Sequence, residues 1–253
     1  MKPAAPHRSP AHGGPRQRRR LQRLHAVLFD MDGTLVETEE LWGEALAALA
    51  GRLGGVLSAG ARRRTVGTSM PVAMGILAAD LGVARTEQQL TDDARWVEDE
   101  TAALMGSRGI PWRPGARELL TAVRESGLGT ALVTTTPRRI AGIVLERITA
   151  ELGYPPFQVT VCGDEVPVRK PDPAPYRQAM AALGVEPGSS LVVEDSAVGV
   201  TAGLAAGATV LGVPSLQSLD DRPRLVLRTS LVGLTVADLE DLLVDPGTTE
   251  LSA

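Results

Sequence analysis

Two aspartates separated by one residue, Asp30 and Asp32, lie where the apolar run HAVLFD meets the turn-forming stretch DMDGT. Three later apolar runs end in chemistry-bearing residues. ALVTTT contains Thr134, QVTVCGD ends at Asp164, and LVVED ends at Glu194 and Asp195. If these runs are strands of one sheet, their carboxyl ends carry several carboxylates to a single edge, where open α/β sheets bind ligands. Paired carboxylates can act as nucleophile and as general acid/base. Like charges held that close are costly unless a cation neutralises them, and an all-oxygen ligand set favours Mg²⁺. Taken alone, DxDGT reads equally well as a turn with Asx capping.

Residue usage sharpens the choice. The chain has 26 basic residues, of which only Lys2 and Lys170 are lysine. A lysine in VRKPDP, against an arginine background, suggests a compact ammonium suited to phosphate contact as a point charge. Histidine is confined to His7, His12 and His25. Ser-His-Asp and Cys-His catalysis therefore lack their base, and histidine-rich zinc sites lack their ligands. Cys162 is the single cysteine, so no internal disulfide or cysteine cage can form, and a cytoplasmic setting fits. Any chemistry falls to carboxylates.

The elements that must position these residues follow from pattern. Apolar runs at 25–30, 131–136, 158–164, 191–195 and 208–213 read as buried strands. Helical stripes separate them. Ile140, Val144, Ile148 and Leu152 lie four apart in a helix from about Pro137 to Gly153, and Tyr176, Met180 and Leu183 line another after an N-cap at Asp172. Alternating strand and helix predicts an α/β fold with a doubly wound parallel sheet. The interval from Thr38 to Ile110 breaks the alternation with helical patterns alone. Leu41, Ala45, Leu49 and Leu53 share one face; Leu90, Ala94, Val97, Thr101 and Leu104 share another, behind a Thr86/Gln89 capping box. The expected division is a disordered basic tail at 1–24, a core at 25–37 and 111–253, and an inserted helical cap at 38–110.

The motifs FDMDGTLVETE, LVTTT, RKPDPAPY and VVEDSAVG, in that order and spacing, resemble the haloacid dehalogenase-like (HAD) hydrolase superfamily. The resemblance spans residues 25 to about 213. It points to the branch with a helical cap after the first motif, alongside phosphoglycolate phosphatases and β-phosphoglucomutase-like enzymes, and implies a Rossmann-like core. It further implies that Asp30 is the nucleophile, forming an aspartyl-phosphate, and Asp32 the acid/base. Thr134 and Lys170 would hold the transferring phosphoryl group. Mg²⁺ would be held by Asp30, the Asp32 carbonyl and Asp195, with Glu194 in or beside its coordination sphere. Dehalogenases of this superfamily lack the second Asp, so the presence of Asp32 favours phosphoryl chemistry. Sugar-phosphate mutases of the branch place a His about where Trp42 lies, which favours a phosphatase over a mutase. A phospho-accepting receiver module is the remote alternative, since receivers are shorter and lack a cap.

Other features yield weaker expectations. Arg62, Arg63 and Arg64 either face an anionic leaving group or end a solvated helix. Asp164 is expected to cap backbone amides, and Gly199, Gly203 and Gly207 to let a helix lie close to the sheet. GLGTAL lacks the third glycine of a dinucleotide fingerprint. Outside the tail, 19 basic residues face 30 acidic ones, which leaves no footprint for nucleic acid. No transmembrane helix is expected. The expected partner is a small phosphorylated metabolite, and the expected assembly a monomer or homodimer.

Overall fold

The computed structural model describes residues 23–244. Its elements, in chain order, are β1 (Ala26–Phe29), α1 (Glu39–Arg52), α2 (Ala59–Thr65), α3 (Met70–Leu81), α4 (Glu87–Arg108), α5 (Ala116–Glu125), β2 (Gly129–Val133), α6 (Arg138–Leu152), β3 (Val159–Val161), α7 (Ala174–Leu183), β4 (Ser190–Glu194), α8 (Ala197–Ala206), β5 (Thr209–Gly212), β6 (Leu225–Leu227) and α9 (Val236–Val244). All six strands pair in parallel, in the order β3-β2-β1-β4-β5-β6. The chain steps outward from β1 in one direction through β2 and β3, then returns to β4 on the other side of β1. That reversal makes the carboxyl end of β1 the topological switch point.

Side-chain alternation along β1 shows why helices cover both faces. Val27 and Phe29 pack in one core with Leu120, Ile140 and Leu239, from α5, α6 and α9. Ala26 and Leu28 pack in another with Tyr176, Met180 and Val200, from α7 and α8. A strand buried on both faces must be apolar throughout, and AVLF is. The doubly wound α/β fold expected from the sequence is present. β6 and α9 add to it; β6 follows β5 with no helix between them, outside the strand–helix alternation.

Local details depart from expectation in two places. Pro173, not Asp172, takes the N-cap position of α7, and Asp172 Oδ1 instead accepts from the Ala174 amide at 2.8 Å. Proline leaves no amide of its own to satisfy there. Of the three spaced glycines, Gly203 does allow close packing, since a Cβ there would sit 3.0 Å from Val210 and 3.1 Å from Val192. Gly207 instead ends α8 in the left-handed conformation, with φ 99°.

Between β1 and α5 the chain makes only helices, α1–α4. It leaves and re-enters the sheet layer side by side, with Glu37 N donating to Pro111 O and Arg113 N to Leu35 O, both at 2.8 Å. Leu41, Ala45 and Leu49 of α1 are buried, as are Val97, Thr101 and Met105 of α4. Asp93 is buried on α4 because Arg85 grips both its oxygens, at 2.7 and 2.8 Å. The basic tail lies outside the described residues over 1–22, while Leu24 is already packed in the core. No described helix is long and apolar enough to cross a membrane.

The Thr86/Gln89 capping box forms as the sequence predicts, with Gln89 N to Thr86 Oγ1 at 3.2 Å and Thr86 N to Gln89 Oε1 at 3.0 Å. Thr86→Ala is expected to lower the unfolding free energy by about 1 kcal/mol, and Thr86→Ser to restore most of it. Equal losses in urea titrations of the two variants would assign the effect to the methyl group instead.

Candidate active site

The site is assembled at the switch point from three neighbouring strand ends and one loop. Asp30 follows β1, with its amide donating to Val193 O of β4 at 3.0 Å. The chain then turns sharply, with Leu35 N to Met31 O at 2.9 Å and Gly33 N to Val36 O at 2.8 Å, and Met31 is anchored in the core. The turn brings Asp32 back toward the side of Asp30. Gly33 adopts φ 80°, and a Cβ there would lie 2.3 Å from Asp195 Oδ2. Only glycine satisfies both constraints.

Lys170 reaches in from the loop before α7. Its Nζ donates to Asp30 Oδ1 at 2.7 Å, Glu194 Oε1 at 2.6 Å and Val133 O at 2.8 Å, which uses all three of its protons. Burial acts to lower its pKa, but the Asp30 and Glu194 charges outweigh it and hold the ammonium above its usual range. Glu194 is saturated: Oε1 also accepts from Tyr176 OH at 2.8 Å, and Oε2 accepts from Asp195 N, Ser196 N and Ser196 Oγ at 3.1 to 3.2 Å. Helix α8 can approach this carboxylate only because Gly199 faces it, where a Cβ would fall 1.7 Å from Oε1.

Asp30, Glu194 and Asp195 each offer a carboxylate oxygen, all within 4.8 Å of one another, and all three residues are buried. Asp195 Oδ1 accepts from Thr34 Oγ1 at 3.2 Å, whereas Oδ2 is buried without a partner. Burial, then the neighbouring carboxylate charges, push both Asp30 and Asp195 well above the usual carboxylate range. Lys170 offsets part of this at Asp30, and Thr34 part of it at Asp195. An orphaned buried oxygen beside like charges is the donor set a hard divalent cation fits. Glu194 is the least available of the three, its lone pairs being taken.

Asp32 has a different environment. Trp42 Nε1 donates to its Oδ1 at 3.0 Å, Thr38 Oγ1 donates to the same oxygen, and Thr136 Oγ1 donates to Oδ2 at 2.7 Å. Thr134 follows β2, its amide on Val161 O at 3.0 Å, its Oγ1 accepting from Thr136 N at 3.0 Å and its own hydroxyl proton without an acceptor among the described residues. Asp30, Asp32, Lys170, Trp42, Thr135 and Thr136 line a cavity with about 560 Å³ of empty space, its open mouth included.

Thr38, Thr136, Tyr176 and Ser196 are contributors that motif reading passed over. Each lay inside a run or motif already quoted: Thr136 in the threonine run, Tyr176 at the end of RKPDPAPY, Thr38 in FDMDGTLVETE and Ser196 in VVEDSAVG. Of Arg62, Arg63 and Arg64, only Arg62 lines the cavity. Its guanidinium is held by Glu39, with Nη2 at 2.9 Å from Oε2 and 2.5 Å from the carbonyl, while Arg63 and Arg64 are exposed. Asp164 Oδ1 caps α6 by accepting from Arg138 N at 2.8 Å, as expected. Burial pushes the Cys162 thiol up to about 12, which removes it as a nucleophile.

A family model described as haloacid dehalogenase-like hydrolase matches residues 24–207, taking in every residue of this cluster. The chain belongs to that hydrolase family. It is 35% identical over 204 residues to the phosphorylated carbohydrates phosphatase of Thermotoga maritima, covering 80% of this chain and 90% of that protein. Hexitol phosphatase B of Escherichia coli K12 is 30% identical over 227 residues, covering 86% of this chain and 97% of the relative. Among solved structures, a variant of CbbY from Rhodobacter sphaeroides in complex with xylulose-(1,5)-bisphosphate superposes with a TM-score of 0.73 at 28% identity, over 85% of this chain and 99% of that one. In this HAD hydrolase the family resemblance and the carboxylate cluster coincide.

The raised pKa values fix a sign. A buried acid whose folded pKa exceeds its unfolded one binds more protons when folded, so stability falls as pH rises from about 4 through the folded pKa. Metal-free protein is therefore expected to lose stability from pH 5 to pH 8. Asp195→Asn should flatten that slope and raise stability at pH 7 by about 1–3 kcal/mol, by removing one buried charge. Denaturant titrations across pH measure this, and a slope unchanged in the variant would contradict it.

Proposed function

We propose that this HAD hydrolase is a Mg²⁺-dependent phosphatase of small phosphate monoesters, with sugar and polyol phosphates foremost. The observation that carries the reading is Asp30 itself: one oxygen fixed by Lys170, at the floor of a cavity shared with Asp32. The named activities of the carbohydrate and hexitol phosphatases support the substrate class, with phosphoglycolate and nucleotide monophosphates as further candidates. Residues 38–110 are taken as the cap over this cavity.

The roles follow from the partners. Asp30 attacks phosphorus, forming an aspartyl-phosphate as the bond to the leaving alcohol breaks. Lys170, bridging Asp30 and Glu194, orients the nucleophile and offsets phosphoryl charge; the free hydroxyl proton of Thr134 is available to a phosphoryl oxygen. Asp32 gives its proton to the leaving oxygen, then takes one from the water that attacks the aspartyl-phosphate, releasing inorganic phosphate and restoring Asp30. Trp42 can only donate, so it pins Oδ1; the Thr136 hydroxyl can turn to accept, so Oδ2 is the oxygen that carries the proton. Mg²⁺ would be held by Asp30, the Asp32 carbonyl and Asp195, with Glu194 beside them, and when bound would supply the charge that lets buried carboxylates stay ionised and offsets phosphoryl charge. A cytoplasmic location accords with a single buried thiol and phosphorylated metabolites as substrates.

A panel of phosphate esters assayed with Mg²⁺ and with EDTA tests the reading. Phosphate release is expected only with the metal, falling at least about a thousandfold in Asp30→Asn and by about 10²–10⁴ in Asp32→Asn. Full activity in EDTA or in Asp30→Asn would refute it. Isomerised sugar phosphate with little free phosphate would assign the site to a mutase instead.

A further inference from the structure

A second cavity adjoins the reaction cavity, and Met70, Thr135 and Pro137 line both. It encloses about 1190 Å³ of empty space, mouth included, between α4 on one side and the core loops on the other. Three arginines and three acids line it, but they are not equally free. Arg139 is spent, its Nη2 3.0 Å from Glu98 and its Nη1 2.8 Å from Asp99. Asp164 is engaged by the amide at the start of α6.

Arg95 and Arg169 face the cavity from opposite walls, and neither lies within 4.0 Å of a carboxylate among the described residues. Arg169 donates its Nε to Gly163 O and keeps its terminal nitrogens unpartnered among the described residues. The remaining acid, Glu87, stands eight residues before Arg95 on α4, roughly 12 Å along the axis. Arg139 follows Pro137 by two residues and grips Glu98 and Asp99, which places the turn of α4 just after Arg95 beside the start of α6. A group emerging past Pro137 enters the cavity that both free guanidiniums line.

We propose that this second cavity is a subsite for a distal anionic group on the leaving alcohol, a carboxylate or a second phosphate, held between Arg95 of the cap and Arg169 of the core. The proposal rests on the phosphatase reading above. The shared chemistry is a planar or tetrahedral oxyanion, which guanidinium forks match. Because the two arginines sit on opposite walls, such a ligand also draws cap and core together.

Three esters distinguish the outcomes: sorbitol 6-phosphate with a neutral leaving group, 6-phosphogluconate with a carboxylate, and fructose 1,6-bisphosphate with a second phosphate. Arg95→Gln, on an exposed helix face, is expected to raise KM for the acid-bearing esters by about fivefold and to leave the neutral ester within about twofold. Arg169→Gln should do the same, and a response confined to one anionic ester identifies which group the subsite takes. Calorimetric titration of Asp30→Asn protein, with and without Arg95→Gln, reads the same factor in affinity without turnover. Failure of wild-type turnover on all esters would sink the phosphatase reading while the titration still decides the subsite. Equal changes for neutral and charged esters, or none for the charged ones, would overturn the subsite.

Discussion

The structure turns on one buried cation among three buried carboxylates. Lys170 bridges Asp30 and Glu194 while Asp195 stands beside them with an unpartnered oxygen. With every group ionised, three negative charges meet one positive charge, and the remaining two are what a divalent cation supplies. A lone ammonium in this position cannot be exchanged for the arginine used elsewhere in the chain. Its three protons point to three acceptors set around a single nitrogen, which a flat guanidinium fork cannot reproduce.

The fold exists to hold that arrangement in register. β1 pairs with β2 on one side and β4 on the other, and the registers Phe29 to Leu132 and Phe29 to Val193 end the three strands side by side. Asp30, Thr134 and the Glu194–Asp195 pair then project from adjacent strand ends at the crevice where the sheet reverses direction. Packing reinforces this on the α7 and α8 face. Tyr176 buries its ring against Lys170 at 4.7 Å and its hydroxyl on Glu194, while Gly199 lets α8 close over the same carboxylate. The polar cluster is thus sealed by the buried faces of two helices, which otherwise carry apolar residues such as Ala179, Met180, Val200 and Ala202.

Much of this was legible because strand ends and residue types carry position. The run HAVLFD fixed where Asp30 emerges, LVVED did so for Glu194 and Asp195, and a lysine among arginines marked Lys170. What could not be read was pairing across elements. That Glu194 has its lone pairs taken by Lys170, Tyr176 and the Ser196 turn depends on where α7 and α8 pack, which no local pattern encodes. The same holds for Thr38 and Thr136 converging on Asp32 from residues 104 positions or fewer away. β6 was missed for a different reason: it follows β5 without an intervening helix, so the strand–helix alternation does not announce it.

Asp32 shows how the insertion enters the chemistry. Two of its three donors, Thr38 and Trp42, belong to the start of the helical insertion, and only Thr136 belongs to the sheet layer. Asp30, by contrast, is held by Lys170 and the Val193 carbonyl, both outside the insertion. Gly67 seats against Ser196 so closely that a Cβ there would lie 2.6 Å from the serine Cβ, tying the insertion to the loop after β4 as well. The geometry of Asp32, the proposed acid/base, therefore depends on where the insertion sits, and that of Asp30, the proposed nucleophile, does not. Any displacement of α1 would cost Asp32 its Trp42 and Thr38 donors while leaving Asp30 bound to Lys170, so in the proposed mechanism proton transfer is the step most exposed to movement of the helical insertion.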